Sequence, residues 1–231
     1  MPAATAPTQT VAAVDCVYAD DTLLVLDKPA GLLCVPGRGP DKQDALSARA
    51  QAIWADALIV HRLDQPTSGL VLMARGMPAQ RALSHAFSQR QVRKRYQAVV
   101  AGLLQPPGGA DGHGSADGAW GEIDLPIAAD WERRPLRVVH ADGKPSLTRW
   151  RVLAHDRARS TTRLELEPVT GRTHQLRVHL AALGHPILGD MLYADAATQA
   201  RAPRLLLHAS ALGFAHPLHG RWCAHTCEPP F

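Results

Sequence analysis

The sequence predicts an α+β fold: a mixed, largely antiparallel sheet flanked by helices, with a central cleft. Three observations lead there. Apolar runs of strand length recur along the chain with turn formers between them. A few stretches carry helical spacing instead. The two kinds alternate without the regular strand–helix–strand rhythm of a parallel sheet. At 231 residues, 46% of them apolar, the chain can bury a sizeable core, which excludes disorder throughout.

The elements follow in order. Residues 1–13, small residues with Thr and Pro, read as a disordered tail, and 14–231 as one domain. TLLVLD at 22–27 is a buried strand closed by Lys28-Pro29-Ala30-Gly31. Asp41 caps a helix running to Trp54, with Leu46, Ala50, Ile53 and Trp54 inward. LIVHRLD at 58–64 starts apolar and ends polar, and LVLMA at 70–74 is a strand. Asp64 therefore sits on a loop between apolar strands, a common home for catalytic groups. Pro78 opens a helix to Gln89 whose inner face is Ala79, Ala82, Leu83, Ala86 and Phe87. KRYQAVVA at 94–101 is a strand with a basic start, and the Gly-rich 105–119 is a mobile surface loop. Strands are expected at 120–125, 145–153 and 161–167, where RLELE alternates. The segment 173–183 is a helix with Leu176, Leu180 and Leu183 on its apolar stripe. Arg177 falls at the stripe's edge, from which a long guanidinium reaches a partly buried cleft. Gly184 ends the helix, and 204–215 and 221–226 close the chain as strands.

The formal charge of +4 suits a polyanionic partner, and basic residues cluster at Arg90, Arg93, Lys94 and Arg95, at Arg133, Arg134 and Arg137, and at Arg149 and Arg151. No stretch is apolar enough to span a bilayer, and no basic-then-apolar leader opens the chain. The four cysteines are expected as reduced thiols in the cytoplasm. On a strand at 221–227, Cys223, His225 and Cys227 point to one face, but their spacing fits no common zinc site and no metal is expected.

His61-Arg62-Leu63-Asp64 with Thr67-Ser68-Gly69 crowds a carboxylate, a cation and a tight turn together. On the residues alone this is either a structural turn with a local ion pair or a reactive site. Three functions stay open: catalysis on RNA, RNA binding without catalysis, and metal-dependent hydrolysis using the His and Cys residues.

HRLDQPTSGL resembles the signature of the RluA family of RNA pseudouridine synthases. LLVLDKPAGLLCVPG at 23–37, RKRYQAVVAG at 93–102, GRTHQLRVHLAALGHPILGD at 171–190 and LLLHASALGFAHP at 205–217 resemble further family segments, in family order. IDLPIAADWERRP and GKPSLTRW resemble the family's small dual-target branch. The resemblance implies a pseudouridine synthase fold without an appended RNA-binding domain, and isomerisation of uridine to pseudouridine with no cofactor. Asp64 matches the catalytic aspartate, Tyr96 the aromatic under the target base, and Arg177 the cation paired with Asp64. Arg62 matches the residue that enters the RNA stack when the base leaves. One of Leu205, Leu206 and Leu207 forms an apolar floor. With Arg93, Lys94 and Arg95 on the backbone, the implied partners are tRNA (anticodon-loop uridine 32) and 23S rRNA (uridine 746), bound by a monomer. The loop near 108–118 is longer than the family pattern, and the Cys/His-rich end departs from it.

Overall fold

The computed structural model describes residues 14–106 and 119–231. The expected tail at 1–13 and nearly all of the Gly-rich loop lie outside them. The described residues hold twelve strands: β1 (Asp15–Ala19), β2 (Leu23–Lys28), β3 (Ala57–Ile59), β4 (Ser68–Arg75), β5 (Arg93–Ala101), β6 (Gly121–Asp124), β7 (Ile127–Ala129), β8 (Arg137–Val139), β9 (Leu147–Asp156), β10 (Thr161–Pro168), β11 (Leu207–Ala215) and β12 (Trp222–Thr226). The helices are α1 (Leu46–Ile53), α2 (Met77–Ser88), α3 (Gln175–Ala182) and α4 (Ala196–Gln199).

Ten strands form one sheet in the order β1-β2-β4-β11-β5-β10-β9-β6, with β3 beside β4 and β12 beside β11; β7 and β8 make a separate hairpin. The expected mixed, largely antiparallel sheet is present. Among the described strand pairs only β4 and β11 run parallel, in register at His208↔Ser68 and Ala209↔Gly69. There the backbones come so close that a Cβ on Gly69 would collide with the backbone of Ala209. Gly69 also has φ 109°, which glycine adopts without strain.

β2 and β4 are buried on both faces, which is why they read as unbroken apolar runs. Leu24, Leu26, Val71 and Met73 pack on one face with Leu46 and Ala50 of α1. Leu23, Val25, Leu70 and Leu72 pack on the other with Ala79 and Leu83 of α2. Each fully buried leucine contributes roughly 1.5–3 kcal/mol. The other half of the sheet is covered on one face only, by Leu176 and Leu180 of α3. Its bare face carries Arg95, Glu165, Glu167 and Arg151, paired across strands. Tyr96 packs against both the α1 core and the α3 core, so it lies where the halves meet.

Three expectations are corrected. Asp41 caps no long helix: Pro40–Lys42 form a 3₁₀ turn, and α1 starts at Leu46 after Ala45. The apolar strand expected to lead into Asp64 is confined to Ala57–Ile59, because His61 onward is committed to the loop. Helix α3 has no polar face over Gln175–Leu180, all of which is buried, whereas Leu183 is exposed. Its polar side chains are internally bonded: Gln175 to Thr170, Thr148 and the Leu147 carbonyl, and His179 to Thr148 and the Leu125 carbonyl.

Candidate active site

The loop from His61 to Thr67 is held at several points. The buried Leu72 N–H donates to His61 Nε2 at 2.9 Å, and the His61 ring stacks on Phe87 at 4.4 Å. Burial pulls His61 down to about 3, so it stays neutral as that acceptor. The Leu63 N–H donates to Cys34 Sγ at 3.2 Å, and the Thr67 N–H to the Asp64 carbonyl at 3.1 Å. From below, Lys28 enters with its side chain fully buried. Its Nζ donates to the carbonyls of Pro29 (2.9 Å), Leu32 (2.8 Å) and Gln65 (3.1 Å). Burial lowers Lys28 to about 8, and Cys34, Asp64 and Asp27 pull against it. This ammonium ties the turn after β2 to the residue after Asp64.

The Asp64 carboxylate, about a quarter exposed, faces Arg177 Nη1 at 3.6 Å and His174 Nε2 at 3.9 Å. Arg177 is not at a helix edge as the stripe suggests; it is buried. Its Nε and Nη2 fork onto Asp190 at 2.8 and 2.6 Å, leaving Nη1 for Asp64. Asp190 is itself buried and accepts from the Leu192 and Tyr193 N–H groups. It follows Gly189, where a Cβ would strike the Arg204 carbonyl. The Tyr193 ring lies under the Arg177 guanidinium at 5.0 Å. Its hydroxyl accepts from the Arg137 N–H at 3.0 Å and lies 2.6 Å from His174 Nδ1. The hydroxyl proton is therefore free to point at Nδ1, which leaves a neutral ring's proton on Nε2, toward Asp64. Burial lowers His174 against the opposing pull of Asp64. His174 also stands at φ 57°, a backbone cost tolerated where the surroundings fix it.

Two clefts meet at Asp64. The larger, about 610 Å³, is lined by Tyr96, Leu207, Leu176, Lys94 and Arg90. The smaller, about 360 Å³, is lined by Leu33, Pro135, Met191 and Leu205. Arg62, Asp64, His174 and Arg177 border both. Tyr96 forms the packed wall, and burial and the Asp64 charge hold its phenol protonated by raising it above its usual value. Of the three floor leucines, Leu207 faces the larger cleft and Leu205 the smaller.

Strand alternation divides the basic run. Lys94 shares the Tyr96 face and lines the larger cleft, where burial and Arg90 lower it. Arg95 points to the opposite face, ion-paired with Glu167 at 2.7 Å and lying over Trp120 at 4.4 Å. Arg93 reaches the cleft rim, and its guanidinium covers Trp222 at 5.1 Å. The structure thus brings together Asp64, Arg177, Tyr96, Arg62 and Lys94, with Arg93 at the rim, and leaves Arg95 outside. Lys28, His174, Asp190 and Tyr193 were not picked out as site residues, His174 reading as support for the fold or an RNA contact. The last three lie in or just beyond GRTHQLRVHLAALGHPILGD, and the signal available was a cluster of ionisable residues among three glycines.

A buried cation steering a carboxylate beside an aromatic wall, on this sheet, defines a class. Residues 22–182 match the family model described as RNA pseudouridylate synthase, and the chain belongs to that family. The particular relatives are narrower. The chain is 42% identical over 219 residues to the dual-specificity RNA pseudouridine synthase RluA of Pasteurella multocida, covering 94% of each chain. It is 44% identical over 205 residues to RluA of Escherichia coli K12, covering 88% of each. Among solved structures, human RNA pseudouridylate synthase domain containing 1 superposes with a TM-score of 0.77 at 28% identity, covering 98% of this chain and 87% of that one.

Proposed function

We propose that this protein converts uridine to pseudouridine in structured RNA, with Asp64 as the catalytic group. The observation that carries the reading is the half-open Asp64 carboxylate, 3.6 Å from a buried guanidinium, at the junction of two clefts. The reaction breaks the N1–C1′ bond, forms C5–C1′, moves one proton off C5 and leaves one on N1. It balances without an oxidant, metal or cofactor.

Asp64 acts as nucleophile or base at the sugar–uracil unit, and Arg177 favours its charged form and fixes its direction. The uridine must leave its stack, at a cost of a few kcal/mol. Tyr96 offsets this by stacking on the base, worth roughly 1–3 kcal/mol, over an apolar floor at Leu207. Arg62, exposed and bordering both clefts, fills the gap left in the RNA. Arg90, Arg93 and Lys94 grip the adjacent phosphates. Residues 14–231 work as one catalytic domain, in a monomer acting in the cytoplasm. By likeness to RluA, whose name carries dual specificity, the targets are the tRNA anticodon-loop uridine and the 23S rRNA hairpin uridine.

The test is incubation with RNA from a strain lacking such enzymes, followed by pseudouridine mapping. Product from the wild type and none from Asp64→Ala, with RNA binding kept, supports the reading. Wild-type protein that binds RNA and yields no pseudouridine at any site overturns it in favour of a binder.

A further inference from the structure

On the sheet face opposite the cleft, three side chains converge from distant parts of the chain. Asp27 stands near the end of β2, His208 on β11, and Cys227 just after β12. Register puts Asp27, Leu70, Ser68 and His208 on one face and Lys28, Ala209 and Tyr96 on the other. One ligand atom from each of Asp27, His208 and Cys227 lies within 4.8 Å of the other two. The thiol lies 3.1 Å from Asp27 Oδ2.

The decisive member is His208. It is 1% exposed, and its Nδ1 is 2.9 Å from Ser68 Oγ. Its Nε2 makes no hydrogen bond of good geometry among the described residues, although the Cys227 backbone also acts on the ring. A buried ring nitrogen left bare costs about 1–3 kcal/mol unless something meets it. A ligating histidine usually has its other ring nitrogen held by a hydrogen bond, and here the Ser68 hydroxyl holds it.

We propose that Asp27, His208 and Cys227 form a binding site for a zinc-class divalent ion. Nitrogen, thiolate and carboxylate are a donor set that such an ion takes, with water or a further protein oxygen completing four-coordination. The Glu228 charge acts on both His208 and Cys227, and Asp15 on Cys227, which adds negative potential. Arg204 is the opposing cation. It acts on His208 and Asp27, and its guanidinium is directed at Ser68 Oγ. Binding breaks the Cys227 S–H, releases that proton, and replaces the thiol–carboxylate hydrogen bond with two metal bonds. The ion then clasps β2, β11 and the segment after β12, and orients Ser68 at the start of β4. Its role is to hold the sheet, not to take part in the reaction.

This differs from the Cys223, His225, Cys227 grouping that the sequence suggested. Those three do share a half-buried face of β12 and the residue after it. The His225 ring packs against Tyr18 and Phe214, at 5.0 and 5.9 Å, and although its Nε2 is also without a partner among the described residues, it lies outside the converging group.

The test is titration of metal-stripped full-length protein with cobalt(II), then zinc. One equivalent of cobalt with a thiolate charge-transfer band, displaced by zinc and lost in Cys227→Ser, is expected. So is a zinc-dependent rise in Tm that Cys227→Ser and Asp27→Asn abolish while both remain folded. The rival ligand group is Asp20, His216 and His219, with the two rings stacked at 3.8 Å. Cobalt binding that survives Cys227→Ser and disappears in His219→Ala would overturn the assignment, as would no stoichiometric binding at all.

Discussion

Asp190→Asn tests the site most sharply, because Asp190 is fully buried and reaches the chemistry chiefly through the Arg177 fork. The wild-type pair is a bidentate fork at 2.6 and 2.8 Å in a dry environment. Removing a partner from such a pair outright costs about 3–5 kcal/mol. Asparagine keeps one acceptor for the Leu192 and Tyr193 N–H groups and for one guanidinium nitrogen. The loss is then one charge-assisted bond, about 1.5–3 kcal/mol. For a chain of this size each kcal/mol moves Tm by about 2–4 °C, so a drop on the order of 3–12 °C is expected. The released guanidinium will swing from Asp190 toward Asp64 and draw the carboxylate off its line. Misplacement by about 1 Å costs roughly 100-fold in rate. Single-turnover pseudouridine formation on a tRNA transcript should therefore fall by about that factor, with RNA affinity within twofold of wild type. A variant with wild-type Tm and rate would refute the argument that Arg177 is held for Asp64 by Asp190.

Other outcomes follow from the same geometry. Lys28→Met will leave three carbonyls without their donor and loosen the loop, lowering both Tm and rate, as a melting curve and a single-turnover assay will read. Tyr96→Phe will keep the stacking wall and most RNA affinity, whereas Tyr96→Ala will weaken capture of the flipped base by about 10–100-fold, from the stacking energy involved. Gly69→Ala will destabilise strongly, since the new methyl group meets Ala209 backbone, and denaturant titration will show it. His61 is held near 3 in the fold against 6.5 in the open chain, so the unfolded state binds its proton first. Stability will fall as pH drops from 6.5 toward 3, and His61→Gln, still able to accept from Leu72, will flatten that slope in pH-dependent denaturant titrations.

The strands that sequence made legible are those with one consistent environment. β2 and β4 are apolar throughout because both faces are covered, and β10 alternates because one face is bare. β1 was missed because every residue in it is exposed and leaves no pattern. β7 and β8 are three residues each, too short to show a period. At the site, Asp64, Tyr96 and Arg177 could be named through the family resemblance, yet the reason Arg177 is fixed lay in Asp190, 13 residues on. Helical spacing put Arg177 at an edge because it knows one helix and nothing of what covers it. Lys28 read as part of a turn, since a lysine before proline gives no hint of burial. Arg95 was grouped with Lys94 by proximity along the chain, which a pleated strand turns into opposition across the sheet.

The parallel seam between β4 and β11 has a further consequence. Until β11 slots in, β1-β2-β4 and β5-β10-β9-β6 have no strand in common. Tyr96 is delivered by one portion and Asp64 by the other. A chain still emerging from the ribosome, with residue 207 not yet out, therefore has both halves of the reaction centre and no strand pairing to join them. Long-range pairings of this kind are the slow step of assembly. The enzyme becomes competent late, only once that strand has been threaded home.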